Sequence, residues 1–208
     1  MKKERDNKMF HRYYGVPNDA KYGEKFMSRF PILFQDRKKS MQETCMCWGI
    51  ECPRGWYYIL EQLCTVLEFH NMEFVKNYNL AIVADQVKEK FGTLRFYFTI
   101  RTVDDDGIVI TEYDENGDLI SDKLTNKLDD NAHSIVSDYL EMVADQYIRE
   151  AEDMTANTCA RCGIPLEKDN KVETKGWITY VCKECDGKPY DDEEDADEEP
   201  AGEAGKAE

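Results

Sequence analysis

The chain has 208 residues, 41% of them hydrophobic and 34% charged, and its formal net charge is −16. That length allows one ordinary core with an appendage. The acidic balance argues against neutralising a phosphate backbone as the main activity, because that work needs a basic face.

Residues 1–18 are polar and mixed in charge, and are expected to form a flexible arm ahead of a core domain at 19–156. Tyr22, Phe26, Phe30 and Phe34 recur at helical spacing, but Pro31 splits the pattern, so a short helix and a turn are expected there. Gly49, Pro53 and Gly55 punctuate residues 43–56 and predict a tight, well-packed loop flanked by Trp48 and Trp56. Ile59, Leu60, Leu63 and Leu67, with Cys64 beside them, predict a helix from Trp56 to about Phe69. The period then changes. Leu94, Phe96, Phe98 and Ile100 alternate with Arg95, Tyr97 and Thr99 as in a half-buried strand. Residues 82–90 are its partner across Phe91-Gly92-Thr93. A second hairpin is predicted over 108–120 around Asn116-Gly117, a pair that tolerates the positive φ of a tight turn. Asp129 and Asp130 can cap a long helix to about Ala156, with a stripe at Ala132, Val136, Tyr139, Val143, Tyr147, Ala151 and Met154.

That helix runs into the most specific signal in the chain. Cys159-Ala-Arg-Cys162 and Cys182-Lys-Glu-Cys185 are two Cys-x-x-Cys pairs at the spacing of a four-cysteine zinc site. Residues 171–181 between them read as a short hairpin turning at Lys175-Gly176. A zinc ribbon over 157–185 is therefore expected, holding one structural Zn2+. A closed shell of four thiolates leaves no open position for catalysis. On this reading Cys182→Ser opens the ribbon and spares most of the helical signal. Residues 186–208, with eleven acids against two bases, are expected to be a disordered acidic tail. The fold class is α+β, with a helix and β-hairpin core, a long helix, the zinc ribbon and the tail.

No apolar run opens the chain, where Asp6, Asp19 and Glu24 intervene, and no stretch approaches the roughly 18 apolar residues of a membrane span. A reducing cytoplasm is expected, so the eight cysteines are read as metal ligands or buried thiols. Cys45, Cys47, Cys52 and Cys64 leave two readings open: a second metal site, or free thiols packed as small hydrophobes. His70 is read as a packed or capping residue. Trp177 and Tyr180 of the ribbon can stack on bases or cover a module too small to bury much else, and Arg161 is a third interaction candidate. The ribbon's five bases face four acids, and a zinc–thiolate centre adds about two negative charges, so no phosphate-binding stripe is expected there.

No phosphate loop, Gly-x-Ser-x-Gly or His-Glu-x-x-His is present. His70-Asn71-Met72-Glu73 carries one residue too many for a zinc deaminase. Asp85, Lys88, Glu89 and Lys90 are the residues of a nuclease-like cluster or of a solvated strand.

The residues Cys45-Met46-Cys47-Trp48-Gly49, Glu51-Cys52, Gly55-Trp56-Tyr57, the stretch 87–97 (Val-Lys-Glu-Lys-Phe-Gly-Thr-Leu-Arg-Phe-Tyr), Cys159-x-x-Cys162-Gly163, Gly176-Trp177-Ile178 and Cys182-x-x-Cys185 together resemble a family of zinc-ribbon proteins encoded by bacteriophages and prophages. The resemblance covers residues 30–185 in patches. Cys47 stands where the pattern has a small residue other than cysteine, and the Asn116-Gly117 hairpin and the acidic tail look like additions. The resemblance implies a phage or mobile-element origin and the cytoplasm of an infected bacterium, and brings no activity with it; the sequence leaves a place in the virion open. The expected function is that of a non-enzymatic accessory protein binding a host or phage protein, in one form as an inhibitor of a host protein. A nucleic-acid-binding regulator and a nuclease-like enzyme are the alternatives. No membrane partner is expected.

Overall fold

The computed structural model describes residues 20–109, 128–174 and 178–188. The arm, the turn around Asn116-Gly117, Trp177 and the tail from residue 189 lie outside them. The described chain is α+β.

Helix α1 (Ala20–Met27) is short, and a 3-10 turn follows at Gln35–Lys38. Phe26, Phe30 and Phe34 still pack as one cluster, with ring centroids 5.2 to 6.4 Å apart, although Pro31 separates them from a common helix. The loop before the second helix holds a 3-10 turn at Cys45–Trp48 and the two-residue strand β1 (Ile50–Glu51). Its tryptophans part company: Trp56 is fully buried and Trp48 is exposed.

Helix α2 (Tyr57–Tyr78) runs nine residues beyond the expected end. The polar residues that obscure its second half are buried in structural roles. Asn71 accepts from the Ile82 N–H at 2.7 Å and donates to the Ile82 carbonyl at 3.0 Å, pairing a helix side chain with a strand backbone. Asn79 ends the helix with a left-handed φ of 55°.

Strands β2 (Leu80–Lys90) and β3 (Thr93–Thr102) form the expected antiparallel hairpin, with a register shift between Ala84 and Gln86. The far edge of β2 is closed in succession. Asn71 meets Ile82, the Ala84 N–H donates to the Leu33 carbonyl at 2.8 Å, and β1 pairs in parallel at Val87 and Lys88. After β3, Val103 bridges Val109.

Helix α3 (Asp130–Ala156) is capped by the Asp129 side chain, which accepts from the Ala132 N–H at 2.9 Å. Its buried stripe is Leu140, Ala144, Ile148, Ala151 and Thr155, while Tyr139 and Met154 of the expected stripe are exposed. The shift arises because α3 meets two neighbours. Leu140 to Thr155 face the sheet side, and Tyr139 and Tyr147 lean on Phe74 and His70 of α2, at 6.3 and 5.8 Å between centroids. The free edge of β3 meets α3 as well. The Leu94 N–H donates to Thr155 Oγ1 at 3.0 Å and the Phe96 N–H to the Glu152 carboxylate. Strands β4 (Lys171–Glu173) and β5 (Tyr180–Cys182) form a separate antiparallel pair. Among the described residues no helix is long and apolar enough to cross a membrane.

A buried carboxylate ties α2 to the aromatic segment. Glu68 accepts the N–H of Ile32 on one oxygen and of Leu33 on the other, each at 2.9 Å. Burial pushes its carboxyl above the usual glutamate range, against the pull of those amides. A raised value means that the fold holds this proton more tightly than the unfolded chain does. The contribution is complete below the ordinary glutamate value and is lost as pH rises through the raised one. The stability of wild type relative to Glu68→Gln should therefore fall as pH rises above the ordinary glutamate value of about 4, as read by urea unfolding. A difference independent of pH would contradict the assignment.

Candidate metal centre

The last turn of α3 aims the chain at the first cysteine pair. Asn157 closes the helix, its N–H donating to the Met154 and Thr155 carbonyls. Cys159 then begins a tight turn. The Gly163 N–H donates to the Cys159 carbonyl at 2.9 Å, the Cys159 N–H to the Ile164 carbonyl at 2.8 Å, and Gly163 takes a φ of 75°. The second pair repeats the motif from the end of β5. There the Cys185 and Asp186 N–H groups donate to the Cys182 carbonyl at 2.9 and 3.1 Å. The two turns face each other through the Ala160 N–H, which donates to the Tyr180 carbonyl at 2.9 Å.

This brings Cys159, Cys162, Cys182 and Cys185 together. Their four Sγ atoms lie within 4.8 Å of one another, with Cys159 and Cys182 buried and the other two half-buried. Cys162 Sγ and Cys182 Sγ are 3.7 Å apart. A tetrahedral ion with metal–sulfur bonds of ~2.3 Å has an edge of about 3.8 Å, so the donors fit such an ion. The Cys182 N–H donates to Cys159 Sγ at 3.2 Å, a contact that stabilises a thiolate. The Cys159 and Cys162 sulfurs lie close enough to compete for one proton. This holds Cys159 well below the usual thiol range and pushes Cys162 far above it. Cys159 likewise pushes Cys185 up to about 12. Four sulfurs this close are poised to exchange protons for a cation.

The module sits hard against the core. The Gly55 N–H donates to the Ala160 carbonyl at 3.0 Å, and the Trp56 ring N–H donates to the Thr158 carbonyl at 3.2 Å. Gly55 has no side chain to spare here: a Cβ would fall 2.2 Å from the Cys159 carbonyl oxygen. Gly92, in the β2–β3 turn, lies against the Tyr180 ring. Spacing and periodicity do not single out either glycine as a contact. The only signal for them is their place in the motifs Gly55-Trp56-Tyr57 and Phe91-Gly92-Thr93.

The other candidates are dispersed. Arg161 donates to the Cys185 carbonyl at 2.9 Å and to the Lys188 carbonyl, so it fastens the second cysteine turn to the first. Tyr180 is half-buried, with Lys171 Nζ 3.9 Å from its ring centroid and Gly92 beside it. It covers the module. Trp177 lies outside the described residues. Cys52 and Cys64 are buried thiols, and burial raises both. Cys45 is exposed and Cys47 half-buried, because their 3-10 turn turns only Met46 inward. His70 packs among Phe69, Phe74 and Tyr147, and desolvation lowers its pKa. Asp85 is taken by Thr99 and Arg101, at 2.6 and 2.8 Å, and Glu89 accepts the Gly92 N–H at 2.6 Å. Among the described residues, the four C-terminal cysteines are the one group of three or more Cys, His, Asp or Glu side chains arranged to hold a metal ion.

The chain matches no family model, no curated protein and no solved structure.

Proposed function

We propose that the four cysteines hold a single structural Zn2+ in a zinc ribbon, and that the protein is a non-catalytic accessory protein of phage type acting on a partner protein in the infected bacterium. The zinc reading is supported by the donor set: four soft ligands at tetrahedral spacing, with no position left for water. The phage setting rests on the resemblance of the sequence motifs.

One observation carries the protein-contact reading. Ile135, Tyr139 and Met142 stand on one face of α3, each more than half exposed, and Phe69 and Met72 of α2 are exposed as well. Helix α3 carries seven acids against one arginine. Exposed apolar side chains set in polar surroundings mark contact surfaces. The charge around these selects a basic partner. Inhibition of a host protein is the concrete form this reading takes.

The test uses the tagged, zinc-loaded protein as bait in bacterial lysate, with and without nuclease, beside an Ile135→Glu, Met142→Glu double variant. One protein should be enriched by wild type in both conditions and lost with the variant, and metal analysis should return about one zinc per chain. Enrichment that vanishes with nuclease, or that ignores the variant, would overturn the protein-contact reading. Absence of bound zinc would overturn the metal reading.

A further inference from the structure

The exposed face of the β2–β3 hairpin brings cations and aromatic rings together. Cross-strand partners share a face, and the register pairs Gln86 with Tyr97, Lys88 with Arg95 and Lys90 with Thr93. The intervening Val87, Leu94 and Phe96 point into the core. The outer face therefore gathers three cations beside an exposed Tyr97, with an exposed Phe91 at the turn. Lys88 Nζ lies 5.3 Å from the Tyr97 ring centroid and Lys90 Nζ 5.4 Å from that of Phe91. Two carboxylates adjoin: Glu51, beside Lys88 on β1, and Glu152, 3.4 Å from Arg95. The three cations outnumber these two carboxylates at the turn end of the hairpin, and the next acids along the face, Asp85 and Glu43, lie beyond Tyr97, with Asp85 paired to Arg101. Beyond Tyr97 lies an open cavity of about 450 Å³ lined by Met41, Gln42, Glu43, Thr44, Cys45, Asp85, Gln86 and Tyr97.

We propose that this hairpin face binds single-stranded nucleic acid, with bases stacked on Tyr97 and Phe91 and phosphates on Lys88, Lys90 and Arg95. Interleaved rings and cations on an exposed sheet suit unstacked bases joined by phosphates. A duplex offers no base faces to the rings. An acidic peptide would satisfy the cations and leave both rings in water. The cavity beside Tyr97 gives a splayed base somewhere to go, with the polar side chains of Thr44 and Gln86 on its wall. This site is separate from the α2–α3 surface, so either reading can fail without the other.

The experiment is fluorescence anisotropy of the full, zinc-loaded chain with a labelled oligothymidylate about a dozen nucleotides long. Binding should appear at about 50 mM salt and weaken about 20-fold by 200 mM, as three phosphate contacts on a single strand require. Tyr97→Ala and Phe91→Ala should each weaken it about tenfold. Lys88→Gln should flatten the log–log salt slope by about 0.7. Polyglutamate should not compete. Absence of binding at low salt, affinity indifferent to both aromatic substitutions, or competition by polyglutamate equal to that of unlabelled oligonucleotide would overturn the proposal. Should Tyr97→Ala lose its fold by circular dichroism, the solvent-facing Lys88→Gln and Lys90→Gln variants decide the matter through the salt slope alone.

Discussion

Cys182→Ser should destabilise the core as well as the cysteine module. Structural zinc contributes on the order of 10 kcal/mol to small modules, and loss of one of four thiolates forfeits much of it. Sequence alone suggests that the damage stops at the module, with the helices left standing. The packing carries it further. Trp56 is fully buried, with its ring N–H on the Thr158 carbonyl, so the start of α2 leans on the chain just before Cys159. The end of α3 holds the Leu94 amide through Thr155. A thermal melt followed by far-UV circular dichroism should show the midpoint falling by about 10 °C or more, as a loss of several kcal/mol implies for a chain of this size. Chelation of the wild-type protein should reproduce the shift, and returning zinc should reverse it. A variant that retained a full zinc complement and an unchanged melt would refute the metal assignment. A melt in which only the module opened would refute the coupling.

Gly55→Ala should be nearly as damaging without touching a ligand. The new methyl group would lie 2.2 Å from the Cys159 oxygen, 2.7 Å from the Gly163 nitrogen and 2.8 Å from the Ala160 carbonyl carbon. All three are backbone atoms of the first cysteine turn, so no side-chain rotation relieves the clash. Either the turn shifts, spoiling the sulfur geometry, or the loop at 53–56 withdraws and strands Trp56. Overpacking of this kind costs about 3 kcal/mol or more. Zinc affinity, measured by competition with a chromogenic chelator, should fall together with stability. Gly23→Ala is the control: among the described residues nothing lies within 4 Å of its Cβ position, and a helical alanine changes stability by no more than about 1 kcal/mol. Equal behaviour of the two variants would show that Gly55 is not a contact.

The parts of this architecture that sequence reveals are those written in local period. Alternation over 94–100 and the turn at Phe91-Gly92 define the hairpin, and Asp129 caps α3 as its side-chain chemistry suggests. The paired Cys-x-x-Cys motifs announce the cluster because a metal site imposes its spacing on the chain. Errors fall where tertiary contacts override local pattern. The far half of α2 hides behind polar Asn71, whose amide is satisfied by the backbone of Ile82 in the strand that follows the helix. The stripe of α3 is misphased because two neighbours, the sheet and α2, each claim part of its circumference. Arg161 reads as an interaction candidate, yet its guanidinium is committed to the backbone carbonyls of Cys185 and Lys188, a pairing that no periodicity encodes.

The contact between α3 and the rim of β3 bears on how the molecule avoids its own kind. A sheet ending in unpaired amides invites another chain to add a strand, and growth of that sort leads to aggregates. Here Thr155 and Glu152 occupy the outward amides of Leu94 and Phe96, so a newcomer finds those donors taken. The same helix that carries the chain to the four-cysteine cluster thus keeps that end of the hairpin from serving as a template. The protection is local and polar, which leaves the broad outer face of the hairpin open to solvent.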